Sequence, residues 1–205
     1  MVVASANPDK AAEIESILRA ELDGSIELLA RPAEVPEVEE TGETLEENAR
    51  LKAMALAVAT GIPALADDTG LEVDALGGAP GVLSARYAGP HATYADNVEK
   101  LLAELRRRGA MQPAERRATF HTVAVARFPG GAELAAEGSV GGVISEAPRG
   151  SGGFGYDPVF VPDEGDGLSF GQMTPEEKHV LSHRGRAFRA LARMLEGAAG
   201  ESGTG

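Results

Sequence analysis

The chain contains no cysteine, so disulfide staples and thiolate metal sites are both excluded. It also lacks a long apolar run. Its hydrophobic stretches fall far short of the roughly 20 residues a membrane span needs. The start, Met1-Val2-Val3-Ala4, has no basic region and no long apolar segment, so no signal peptide is expected there. Positive charge is scarce. There are 19 Lys and Arg against 32 Asp and Glu, for a net charge of −13. A duplex nucleic-acid binder needs a basic face to neutralise phosphates, and this balance argues against one. No internal repeat at solenoid or propeller spacing is present, and the glycine pattern of a Walker loop is missing. These absences lead us to expect a soluble, cytoplasmic protein with no nucleic-acid and no membrane partner.

Enough is present to fold. Some 43% of the 205 residues are hydrophobic, which supports one domain or two closely joined lobes. The charge is unevenly spread. Residues 34–47 hold seven Glu and no Lys or Arg, whereas Lys178, His179, His183, Arg184, Arg186, Arg189 and Arg193 crowd the late chain. An acidic segment of this kind suits a metal ion, and a basic one suits phosphates or a polar base.

Periodicity gives an α/β reading. Residues 2–5 form a short buried strand, and Asn7-Pro8 opens a helix with apolar Ala11, Ile14, Ile17, Leu18 and Leu22 on one face. Residues 26–30 read as a second strand. Thr44-Leu45-Glu46-Glu47 has capping-box spacing, and the helix it starts should stop at Gly61. Residues 63–66 form a short strand ending at Asp67-Asp68-Thr69-Gly70. Residues 93–108 are helical. Residues 118–128 and 133–144 form a hairpin around Pro129-Gly130-Gly131. A glycine-rich loop at 151–155 leads into a strand at 156–161. A second capping box, Thr174-Pro175-Glu176-Glu177, opens a helix, and a last helix ends at Gly197. Residues 1–197 are expected as one two-lobed domain and residues 198–205 as a disordered tail.

Five segments carry possible chemistry. Ser5-Ala6-Asn7-Pro8-Asp9-Lys10 leaves a strand and opens a helix, where outward N–H groups suit a phosphate and Lys10 adds a charge. The bland reading is an Asn cap and a surface lysine. Asp67-Asp68 places two carboxylates beside an apolar strand, which is costly unless a cation meets them. Mg²⁺ takes oxygen ligands of this kind, and a nearby carboxylate can remove a proton from water. Glu39 or Glu40 can complete such a site, and Asn48 and Lys52 share a helical face. Ser151 through Pro158 offers glycines for close approach and Phe154 for stacking, with Asp157 as an acceptor. Lys178 and Ser182-His183-Arg184-Gly185 supply donors, of which Arg184 has a rigid fork. Together they describe a nucleotide–Mg²⁺ site.

These stretches, in order and spacing, resemble the inosine triphosphate pyrophosphatase family from Val2 to about Leu195. The run Gly77-Gly78-Ala79-Pro80-Gly81 through Ser84-Ala85-Arg86-Tyr87 adds to the likeness. The resemblance implies an elongated two-lobed mixed-sheet α/β fold with a central cleft, and a homodimer. It implies a triphosphate held by Ser5, Ala6, Asn7, Pro8, Asp9, Lys10 and Lys52, with help from Arg86. Glu39 and Asp68 would ligand Mg²⁺, Asp68 would accept the proton of the attacking water, and Thr69 would touch the substrate. Phe154, Gly155, Tyr156 and Asp157 would form the base pocket, and Lys178, His183 and Arg184 would read or hold the base. The family usually has Thr-Gly-Asn at the first loop, where this chain has Ser5-Ala6-Asn7; Ser5 keeps the hydroxyl, and Ala6 adds a methyl group.

The implied activity is hydrolysis of non-standard purine nucleoside triphosphates (ITP, dITP, XTP) to monophosphate and pyrophosphate by water attack on the α-phosphorus. The alternatives are a related pyrophosphatase for other nucleotides and a catalytically silent nucleotide-binding protein.

Overall fold

A computed structural model describes residues 1–22, 24 and 26–202. Five α-helices and six strands are found among them: β1 (Val2–Val3), α1 (Pro8–Glu21), α2 (Leu45–Thr60), β2 (Ala64–Val73), β3 (Pro80–Gly81), α3 (Tyr94–Arg107), β4 (Arg117–Arg127), β5 (Glu133–Ile144), β6 (Phe160–Pro162), α4 (Pro175–Leu181) and α5 (His183–Ser202). The sheet runs β1-β2-β4-β5-β6, with β3 paired to β2. β1 lies parallel to β2, while β3 and β6 pair antiparallel to β2 and β5. The mixed α/β expectation is met.

The chain divides into two compact units. Unit 1 is Met1–Asp68, Thr122–Gly138 and Arg184–Gly205; unit 2 is Thr69–His121 and Ser139–His183. The backbone passes from one to the other inside β2, β4 and β5 and at the start of α5.

In unit 1 the strands alternate faces, as β geometry requires. Leu65 of β2 and Ala124 and Ala126 of β4 pack with Ile14 and Leu18 of α1 and Phe188 and Leu191 of α5. Ala64 and Ala66, with Val123 and Val125, pack instead with Ala49, Ala53 and Leu56 of α2. One face of these strands therefore meets α1 and α5, and the other meets α2. Local signals fix the helices. Asn7 caps α1 by accepting from the Asp9 and Lys10 N–H groups, Thr44 and Glu47 close a capping box on α2, and Gly61 ends α2 in the left-handed region. In unit 2, Leu101 and Leu105 of α3 pack with Leu71, Val73, Phe120, Ile144, Phe160 and Phe170.

Four expectations are corrected. The strand expected over 156–161 forms only from Phe160, as β6, because residues 155–159 make turns. Residues 26–30 form no strand; a single bridge joins Leu29 to Val2. The strand expected to stop before Asp67 runs through Asp67-Asp68-Thr69-Gly70 to Val73, with both edges supplied with partners by β1, β3 and β4. The last helix continues past Gly197 to Ser202, because one glycine lowers helix propensity by only about 1 kcal/mol and does not by itself end a helix. The remainder of the expected tail, residues 203–205, lies outside the described residues.

Candidate active site

Adjacent residues on a strand point to opposite faces. That geometry separates the two neighbouring aspartates of β2. Asp67 shares a face with Leu65 and meets α1 and α5. Its carboxylate lies 3.6 Å from Lys10 Nζ and accepts from Arg184 Nε at 3.3 Å. Arg184 is 2% exposed, and its Nη1 donates to Glu13. Asp68 shares a face with Ala66 and meets α2. It accepts from Lys52 Nζ at 2.7 Å and from Asn48 Nδ2 at 3.3 Å. Lys52 also donates to Glu40 at 2.9 Å.

The two environments pull the carboxylates apart. Burial would raise Asp67, but Lys10, Arg184 and Lys52 overcome it and bring it to about 2. Burial raises Asp68, and Glu40 adds to that rise against the opposition of Lys52 and Lys10. Asp67 is thus a fixed anion and Asp68 the more basic of the pair, the pattern by which adjacent acids take different roles. Burial lowers Lys10, with Asp67 opposing. Burial would also lower Lys52, but Asp68, Asp67 and Glu40 carry it above its usual value.

Glu13, Glu40, Asp67 and Asp68 face Lys10, Lys52 and Arg184. Four carboxylates against three cations leave no surplus positive charge for a triphosphate. A divalent cation would supply it. Among the described residues no three His, Asp or Glu side chains gather into a full metal cage. Mg²⁺ needs none, because it binds through one or two carboxylates and fills the rest with water and phosphate. Asp68 and Glu40 already converge on one cationic point, Lys52 Nζ, so their hard oxygen donors fit such an ion. Glu39 is exposed beside Glu40.

Unit 2 carries a different cluster. Phe154 sits in the glycine-rich loop between Gly153 and Gly155, both at positive φ. The Phe154 N–H donates to Asp157 Oδ2 at 2.8 Å, and Lys178 Nζ donates to the same oxygen at 2.6 Å. Lys178 Nζ also lies 4.8 Å from the Phe154 ring centre. A Cβ on Gly153 would stand 2.2 Å from Asp157 Oδ2, so only glycine fits there. His183 stacks on Phe120 with ring centres 4.3 Å apart.

Sequence reasoning named most of these residues, but several sit in roles it did not foresee. Asn7 is the helix cap of the bland reading. Ser5 Oγ is tied to the Asn7 backbone. Tyr156 lies in the unit 2 core and donates its hydroxyl to the Ser84 carbonyl at 3.0 Å. Arg184 belongs to the Asp67 cluster, and Arg86 ends a short turn in unit 2. Thr69 is the first residue of unit 2, half-buried on β2. Glu13 was missed, although its signal was a Glu within the apolar register of α1. Asn48 was noted only for sharing a face with Lys52. It links Asp68 to the acidic turn, because its Oδ1 accepts the Gly42 N–H at 2.8 Å.

Residues 1–194 match the Ham1 family. The chain belongs to that family. Similar Ham1-family proteins include the dITP/XTP pyrophosphatase of Deinococcus radiodurans, 49% identical with 93% of this chain and 90% of that protein covered. That of Lactiplantibacillus plantarum is 48% identical, with 93% and 92% covered. Among solved Ham1 structures, one from Coxiella burnetii is 41% identical with a TM-score of 0.83, covering 95% of this chain and 97% of that one. Membership accounts for the mixed sheet and its helices. No helix among the described residues is long and apolar enough to cross a membrane.

Proposed function

We propose that this chain hydrolyses non-standard purine nucleoside triphosphates, with dITP and XTP as first candidates, to the monophosphate and pyrophosphate. The observation that carries the reading is the divergent aspartate pair on β2, with a fixed anion on one face and a buried, raised carboxylate on the other. Asp68 accepts the proton of a water attacking the α-phosphorus. Lys10, Lys52 and the N–H groups at the start of α1, following Ser5-Ala6-Asn7-Pro8-Asp9, receive the phosphates, with Arg86 a further candidate. Asp67, gripped by Arg184, orients Lys10. Positioning and electrostatics suffice for such a reaction.

Nucleotide hydrolases of this family generally need a divalent metal. Asp68 would hold Mg²⁺ with Glu39 or Glu40, and the ion would neutralise charge on the phosphates and the departing pyrophosphate. Phe154 stacks on the base, with Gly155, Asp157, Lys178 and His183 around it and Thr69 near the sugar or phosphates. A 6-oxo purine offers an acceptor that adenine lacks, and a site built to donate there rejects the wrong base by roughly 10⁴-fold or more. A homodimer fits the exposed Met54 and Val58, one turn apart on α2, and light scattering would report it.

Pyrophosphate release from a panel of triphosphates, with and without Mg²⁺, tests the activity. We expect dITP and XTP to lead and the rate to collapse without a divalent ion. A pyrimidine winner would point to a sibling enzyme, and silence across the panel to a binding protein.

A further inference from the structure

Phe154 is held more tightly than a loop residue needs to be for stacking alone. Its N–H is fixed by Asp157, and the Lys178 ammonium lies 4.8 Å from its ring centre. A third contact comes from another element. The Tyr94 ring stands 5.9 Å from the Phe154 ring, tilted by 38°. Tyr94 is the first residue of α3, where a Thr93–Asp96 capping box fixes the backbone, and the residue is 41% exposed. We infer that Tyr94 is a positioning residue for the base platform: it braces the Phe154 ring in its stacking orientation and so tunes affinity for the nucleobase.

Spacing supports a brace over a second jaw. A base sandwiched between two rings needs them about 7 Å apart, twice the usual carbon contact distance. At 5.9 Å the two rings touch each other instead. A ring fixed in advance loses less rotamer freedom when a ligand stacks on it, so the gain appears in binding. Placing the brace on a capped helix rather than in the loop keeps it rigid. This inference rests on the reading of Phe154 as the base platform.

The test compares Tyr94→Ala, Tyr94→Leu and Tyr94→Phe with Phe154→Ala, using dITP as substrate. Loss of one aromatic pair should raise KM about threefold to tenfold in the Ala and Leu variants, with kcat within roughly twofold of the parent. Phe should restore KM, because the ring and not the hydroxyl does the bracing. Leu keeps an apolar side chain on the helix, so it serves if Ala alone proves unstable.

A second readout needs no turnover. The chain has no Trp and three Tyr, so its ultraviolet emission is tyrosine emission. Titration with deoxyinosine monophosphate should change that emission, and Tyr94→Phe should remove most of the change while leaving affinity intact. An unchanged KM in both Tyr94→Ala and Tyr94→Leu, with Phe154→Ala still impaired, overturns the brace and spares the platform. An unchanged KM in Phe154→Ala overturns the platform itself.

Discussion

The candidate residues of unit 1 are held by charge, and those of unit 2 by ring contacts around one buried ion pair. In unit 1 seven ionisable side chains from α1, α2, α5, β2 and the acidic turn fix one another. In unit 2 Asp157 and Lys178 anchor a loop that carries the Phe154 ring. Under the proposed function, the difference follows from the task. A triphosphate is recognised by charge, which acts over distance and tolerates little rearrangement of its neighbours. A base offers a flat face and a few edge groups, so shape and orientation matter more. Changes in the first cluster should therefore fall on turnover and metal use, and changes in the second on KM.

The sharpest break would be Asp68→Asn. Loss of the proton acceptor should cut kcat by about 10²–10⁴-fold, with nucleotide binding retained. Normal turnover at saturating Mg²⁺ would remove Asp68 from the chemistry. Next, Phe154→Ala should lower kcat/KM by about 10–100-fold, mostly through KM, as loss of one stacking platform costs about 1–3 kcal/mol. If kcat fell instead, the separation between the two clusters would not hold. Glu39→Gln and Glu40→Gln refine the metal edge. The variant whose half-saturating Mg²⁺ concentration rises by about tenfold identifies the ligand. An effect at Glu39 alone would leave Glu40 as the counterion of Lys52.

The smallest expected effect lies in the unit 2 core. Burial raises the Tyr156 hydroxyl above its ordinary value, and Tyr87 adds to the shift. A raised folded value gives stability that is complete below the unfolded value of about 10 and is lost as pH climbs beyond it. Tyr156→Phe should cost about 1 kcal/mol at neutral pH for the lost hydrogen bond. It should also unfold less steeply in alkali. Denaturant titrations at pH 8 and above pH 10 would show both.

The sequence carried the local signals well. Capping boxes at Thr44 and Thr174 predicted two helices, and Pro129-Gly130-Gly131 predicted the long hairpin. Those devices act within a few residues, so a single chain displays them. Partners across the fold were harder to see. Arg184 was read as a donor to the base, and its contacts with Glu13 and Asp67 join positions 171 and 117 residues apart. Tyr94 looked like an ordinary helix start, since nothing near it in sequence announces Phe154. The Asp67-Asp68 pair stood out as a candidate, but its two-faced arrangement was hidden by ending the strand too early.

That arrangement sets a rule for length changes in this gene. Because Asp67 and Asp68 are told apart only by odd and even places along β2, one codon inserted or deleted between Ala64 and Asp67 would swap their surroundings. The carboxylate meant for α2 would then face Lys10 and Arg184 without any change in its identity. Two codons would restore the parity but displace both groups by about 7 Å along the strand. Surveys of tolerated insertions should find the 129–131 turn permissive and this segment closed.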